Sequence, residues 1–192
     1  INDFAKGLKN LISDDGVIII EIHYLGSMIN DTSFDTIYHE HFSYWSLENL
    51  INLFTKYGLN IFDACLMSVH HGQLRIYMSK SKKYKKSKLL NDLLKKEKNE
   101  NLIGEKLSLF CKNVLDIKEN LLDLFEKISK EGKKICGYGA PAKASTLINF
   151  IGNNNLEFIY DKSKLKQGKY IPGTGIKIKD PFEIKGDSPD YI

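Results

Sequence analysis

The spacing of apolar residues along the 192-residue chain predicts an α/β protein of two units joined by helices. Three observations carry that prediction. A helix-spaced stretch over residues 2–12 leads through Asp14-Asp15-Gly16 into Val17-Ile18-Ile19-Ile20, a strand-sized apolar run. Residues 89–130 repeat leucine, isoleucine and phenylalanine at helical intervals. From residue 133 a strand, a tight turn, a helix and a second strand follow in order, the pattern of a βαβ unit.

The elements follow in chain order. Phe4, Leu8 and Leu11 form the stripe of the first helix. Taken as one continuous apolar strand directly after a helix, residues 17–22 predict a parallel sheet covered on both faces. Residues 24–45 read as loop, with a turn-rich Asn30-Asp31-Thr32-Ser33. Ser46 is the predicted N-cap of a helix with Glu48 in its first turn. Its stripe is Leu47, Leu50, Ile51, Phe54 and Tyr57, and Gly58 stops it. Residues 59–66 and 74–78 read as strands joined by a His-Gly turn. Polar residues 97–100 divide the long helical region, whose second helix closes near Gly132. Strand 133–138, the turn Gly139-Ala140-Pro141, helix 142–151 and strand 156–161 build the second unit, with proline suited to the helix start. A Gly/Pro loop over 168–178 leads to a short strand, and Asp190-Tyr191-Ile192 reads as the start of another. The predicted division is residues 1–100 and 101–192.

Composition narrows the function. Hydrophobic residues at 42% and charged residues at 27% are ordinary for a globular protein and exclude global disorder. No apolar run approaches the roughly 18 residues of a membrane helix, and no signal-peptide pattern opens the chain. A cytoplasmic protein without a membrane partner is expected. Cys65, Cys111 and Cys136 are far apart and form no CxxC pair, so neither a disulfide framework nor a cysteine-built zinc site is expected. Net charge is +4, and Arg75 is the only arginine. Nucleic-acid readers favour arginine for its planar fork, so no nucleic-acid partner is expected. Six lysines in residues 80–88 leave two readings open, a solvated hinge or surface strip, and a phosphate- or nucleic-acid-binding strip.

Three segments carry chemistry. Ile37-Tyr38-His39-Glu40-His41-Phe42-Ser43-Tyr44-Trp45 gathers two histidines, a carboxylate and two tyrosines. Imidazole suits removal of a proton beside a carbonyl, a carboxylate can steady the imidazolium, and a phenol can donate to the enolate oxygen. Catalysis, a metal site through His39 and His41, and plain structural use all remain open on residue types. Gly137-Tyr138-Gly139-Ala140-Pro141-Ala142-Lys143 is a glycine turn before a helix. It can hold an anion, or it can serve a tight strand-to-helix crossing that needs small residues. Asp161 ends a strand, where ribose-binding acids often sit, and opens the loop that runs to Thr174.

In order and spacing, "FDTIYHEHFSYWSL", "GYGAPAKASTLINF" and "DKSKLKQGKYIPGTGIKI" resemble the S-adenosylmethionine-dependent sugar C-methyltransferases. "GLKNLISDDGVIIIEIHYLGSMI" resembles the end of that family's methyl-donor domain, and "VHHGQLRIY" its hairpin turn. There His71 stands in place of a glycine and Gln73 in place of a serine. The resemblance implies an α/β chain made of the tail of a Rossmann-like methyltransferase domain, then helices and a small second Rossmann-like α/β domain. It implies S-adenosylmethionine as methyl donor, with the donor loop upstream of Ile1. It also places a zinc-binding domain, and all the zinc, at a missing N-terminus. The implied reaction is methylation at C3 of a nucleotide-linked 4-keto-deoxysugar. Tyr38, Glu40 and His41 match the catalytic positions. His39, His70, Arg75, Lys143 and Tyr170 are the candidate substrate contacts. Two rivals stay open: a nucleotide- or sugar-binding module without catalysis, and a related methyltransferase acting on oxygen or nitrogen.

Overall fold

The computed structural model describes residues 1–68, 72–152 and 155–192. The chain forms two compact units, one of Ile1–Ser33 with Phe42–Cys111, the other of Phe34–His41 with Lys112–Ile192. The helix-and-strand composition is α/β, as expected.

The first unit runs α1 (Asn2–Leu11), β1 (Ile18–His23), α2 (Leu25–Asn30), α3 (Leu47–Thr55), β2 (Asn60–Met67), β3 (Gln73–Ser79) and α4 (Lys88–Asn99). One turn of π-helix (Leu102–Lys106) then leads into α5 (Leu107–Lys130), which continues into the second unit. The sheet order is β1-β3-β2, and both pairings are antiparallel. That corrects the parallel sheet expected over residues 17–22. The physical reason lies in Glu21, which interrupts the apolar run and faces Arg75 across the ladder. Ile18, Ile20 and Ile22 pack on the core, whereas Ile19 on the opposite face is 58% exposed. The strand is therefore half-covered, with the period of two that this demands.

β3 supplies the centre of the core. Leu74, Ile76 and Met78 are wholly buried and pack with Leu47, Leu50 and Phe54 of α3. Each such side chain contributes about 1.5–3 kcal/mol of burial. The Ser46 hydroxyl accepts from the Asn49 amide at 3.2 Å, the predicted N-cap. Gly58, at φ +72°, ends the turn that follows α3. α2 was not expected, because the loop reading took its turn-rich C-terminal end as representative of the whole stretch. The lysine strip folds back on this unit. Lys80 donates to the Ile12 carbonyl at 2.7 Å, Lys83 pairs with Asp15 at 3.2 Å, and the Tyr84 hydroxyl donates to the Asp15 carbonyl. None of the helices among the described residues is long and apolar enough to cross a membrane.

In the second unit, β4 (Ile135–Tyr138), α6 (Ala142–Ile151), β5 (Leu156–Tyr160) and β6 (Lys177–Lys179) form a parallel sheet in the order β4-β5-β6. α7 (Ile184–Asp187) follows, and Tyr191 then bridges to the free side of β4, where the Cys136 amide donates to the Tyr191 carbonyl at 2.9 Å. Ile148 of α6, Ile159 of β5 and Ile171, Ile176 and Ile178 of the following hairpin make its core. The 3-10 turn Phe34–Thr36 belongs here too, since Phe34 packs on Phe150 of α6 with ring centroids 5.0 Å apart.

Candidate active site

The Tyr-His-Glu-His segment is a closed turn rather than a strand. The Tyr38 amide donates to the Thr36 carbonyl at 3.1 Å, and the His41 amide to the Tyr38 carbonyl at 2.9 Å. A strand would send Tyr38 and His41 to opposite faces. The turn instead brings their rings to 4.4 Å between centroids, tilted at 42°. Tyr38 and His41 are half-buried, and His39 and Glu40 are exposed. His41 Nδ1 lies 2.8 Å from the Thr36 carbonyl oxygen. A carbonyl can only accept, so Nδ1 carries the proton, and the neutral ring has its lone pair on Nε2. That is the tautomer a base needs, with a backbone group as its orienter. Thr36 was not foreseen from the sequence. The contact uses a main-chain oxygen, which leaves no mark on residue identity.

The glycine turn after β4 is built for a crossing. The Gly139 amide donates to the Tyr160 carbonyl at 2.7 Å, and the Ala140 amide to the Asp161 carboxylate at 2.8 Å. Gly139 sits at φ +95°, which a side chain would strain, and a Cβ on Gly137 would meet Ile159 at 2.9 Å. Asp161 also accepts from the Ser163 amide at 2.7 Å and from Lys166 at 3.3 Å. These bonds, the Ser163 amide foremost and then the Ala140 amide, hold its carboxyl below the usual range. Asp161 therefore locks this turn to the following loop, and its carboxylate is committed within the protein.

The other candidates lie on separate elements. Lys143 is the second residue of α6, half-exposed in the helix's first turn. Tyr170 is 59% exposed and bridges to Lys177. Arg75 lies in the first unit, where its Nε donates to Glu21 at 2.7 Å and a second nitrogen of the guanidinium contacts the same oxygen. His70 lies outside the described residues. Among the described residues, no cluster of three or more histidine, cysteine or acidic side chains could hold a metal ion.

Two of the strand-to-helix turns bear on a site for S-adenosylmethionine. After β1, the Leu25 amide is bonded to the Trp45 carbonyl at 3.0 Å, and the Tyr24 ring fills the space beside Gly26. After β4, the Gly139 and Ala140 amides are spent as described. Neither turn fits the donor as a glycine-lined cradle.

Comparison with known proteins agrees with the sequence resemblance. Residues 68–192 match the family described as the C-methyltransferase C-terminal domain. Over an alignment of 195 residues, the chain is 31% identical to the C-methyltransferase NovU of Streptomyces niveus. That alignment takes in 100% of this chain and 46% of the relative, so the chain spans about half the length of the protein it matches. The match reaches beyond the C-terminal domain and takes in the 38–41 turn. This chain belongs to the C-methyltransferase family and carries that family's C-terminal domain over residues 68–192.

Proposed function

We propose that this chain is the proton-abstracting and sugar-holding part of a C-methyltransferase that uses S-adenosylmethionine and acts at C3 of a nucleotide-linked 4-ketohexose. The observation that carries the reading is the 38–41 turn, where a histidine with its Nδ1 proton fixed lies ring to ring with a tyrosine. The C3 proton is acidic because the adjacent C4 ketone accepts the electron pair as an enolate. His41 Nε2 takes that proton, and the C3–H electron pair passes into the C3–C4 bond as C4–O becomes an oxyanion. The Tyr38 hydroxyl donates to that oxyanion. Glu40, on the same turn, steadies the imidazolium through space.

S-adenosylmethionine supplies an electrophilic methyl group when bound, and its site is proposed to lie outside these 192 residues. Lys143, near the positive end of the α6 dipole, is the proposed contact for the nucleotide's diphosphate. His39, Arg75 and Tyr170 are further proposed substrate contacts.

The test uses the full-length protein, a nucleotide-linked 4-ketohexose and a donor carrying carbon-13 in its methyl group. The expected product shows a methyl resonance with one-bond coupling to a ring carbon. A methoxy or N-methyl resonance would replace this reading with transfer to oxygen or nitrogen.

A further inference from the structure

Within the second unit, the segment that carries the 38–41 turn is seated on α6 by an aromatic pair. Phe34, 9% exposed, opens the 3-10 turn Phe34–Thr36, which packs against α6. Its ring lies 5.0 Å from that of Phe150 between centroids, tilted at 57°. Tilted pairs at this separation are favoured by the charge distribution of the two rings. Phe150 is held in turn from α5, where the Lys118 Nζ lies 5.1 Å from its ring centroid. Ile37, by contrast, is 48% exposed, so Phe34 is the apolar side chain that this segment buries.

From Phe34 the contacts run through the main chain to the proposed base. The Ile37 amide donates to the Phe34 carbonyl at 2.9 Å and closes the 3-10 turn. Thr36, 5% exposed, is fixed inside it. The Thr36 carbonyl accepts from the Tyr38 amide at 3.1 Å and lies 2.8 Å from His41 Nδ1. A carbonyl oxygen has two lone pairs, and these two donors use both. Where this carbonyl points therefore decides where the imidazole sits and which of its nitrogens carries the proton. The turn precedes residues 68–192, the part that matches the C-terminal domain, whereas Phe150 lies inside it. Lys143 and Phe150 are seven residues apart on α6, so they share one face of the helix roughly 10 Å apart along its axis. The helix thus begins at the proposed diphosphate contact and ends against the seat of the base.

We propose that Phe150 is a positioning residue for proton removal: by seating Phe34, it fixes the Thr36 carbonyl that holds His41 with its proton on Nδ1. The proposal rests on His41 being the base. An imidazole whose Nδ1 partner has moved can carry its proton on Nε2 instead, which removes the lone pair that takes the C3 proton. Misplacement by about 1 Å can itself cost on the order of a hundredfold in rate.

The experiment takes the full-length protein in deuterium oxide without methyl donor, with a thymidine diphosphate-linked 4-keto-6-deoxyhexose as probe. Exchange at C3 is followed for the parent, Phe150→Ala, Phe150→Leu and His41→Asn, at a temperature where circular dichroism shows each variant folded. The His41 ring nitrogens are read in parallel by nitrogen-15 resonance at about pH 8, where imidazole is neutral, and are assigned as the signals lost in His41→Asn. Phe150→Ala is expected to lower the maximal exchange rate roughly tenfold or more, with the KM for the probe within about twofold of the parent. Its His41 signals should change from the Nδ1-protonated tautomer to a mixture. Phe150→Leu keeps apolar bulk without the ring and should show a fall of about threefold with a partial change of the same kind. Folded Phe150→Ala with the parent rate, or with the parent tautomer signals, overturns the proposal and leaves Phe150 a stability element. Where Phe150→Ala does not fold, Phe150→Leu decides by the same criterion. His41→Asn at the parent rate removes the underlying reading, and this proposal with it, whereas failure at Phe150 alone leaves His41 as the base.

Discussion

The 38–41 turn and the 137–141 turn belong to the same unit and spend their polar groups in opposite ways. In the glycine turn, the Gly139 and Ala140 amides are bonded inward, and the nearby Asp161 is bonded three times over. In the Tyr-His-Glu-His turn, backbone bonds close the loop and fix one imidazole nitrogen, while His39 and Glu40 stand exposed. Glycines between a strand and a helix therefore do not by themselves make a binding cradle. What their amides already hold decides it, and here the second turn spends its polar groups on structure while the first leaves His39 and Glu40 exposed.

Substitutions sharpen or break that contrast. The largest effect is expected at His41. Its replacement by asparagine keeps approximate volume and removes the base, so turnover of the full-length protein should fall about 10²–10⁴-fold with nucleotide-sugar affinity nearly unchanged. Tyr38→Phe loses one donor to the developing oxyanion and should lower turnover about 10²-fold, near the lower end of such losses.

Asp161→Ala should act on stability instead. It leaves the Ala140 and Ser163 amides unpaired, at a cost of about 1–3 kcal/mol in urea unfolding, with the folded protein's exchange rate at C3 kept. The depressed pKa of Asp161 gives this cost a pH signature. The stabilisation is fully present above the ordinary carboxylate pKa of about 3.9 and is lost as pH falls through the lower folded value. The difference between parent and variant should be flat near neutrality and shrink in acid. A difference that grew on acidification would mean that Asp161 does not hold the turn as a carboxylate. The smallest effect is expected at His39→Asn, within about twofold of parent turnover, because this residue is exposed beside the proposed base.

Local patterns made much of the fold legible in the sequence. Ser46 as N-cap, Gly58 after α3, and the β4-turn-α6-β5 order all follow from residues adjacent to the elements they define. The direction of β1 is not legible in the sequence, because three consecutive isoleucines outweigh Glu21, whose partner Arg75 lies 54 residues away. In the sequence Glu97 belongs to a polar break, whereas in the fold its carboxylate accepts from the Leu47 amide 50 residues away, a contact nothing nearby marks. At the site, the residue types of the 38–41 turn suggested enolate chemistry. Its closed geometry and the Thr36 carbonyl did not show, because main-chain bonds leave side-chain identity unconstrained.

The central claim is that His41 removes the C3 proton. Solvent-deuterium exchange at C3 of a nucleotide-linked 4-ketohexose, followed in the full-length protein without methyl donor, isolates that step from methyl transfer. The parent protein should exchange this position, and folded His41→Asn should exchange it at least about a hundredfold more slowly. Exchange by folded His41→Asn at the parent rate would contradict the account and take the Tyr38, Glu40 and His41 assignment with it.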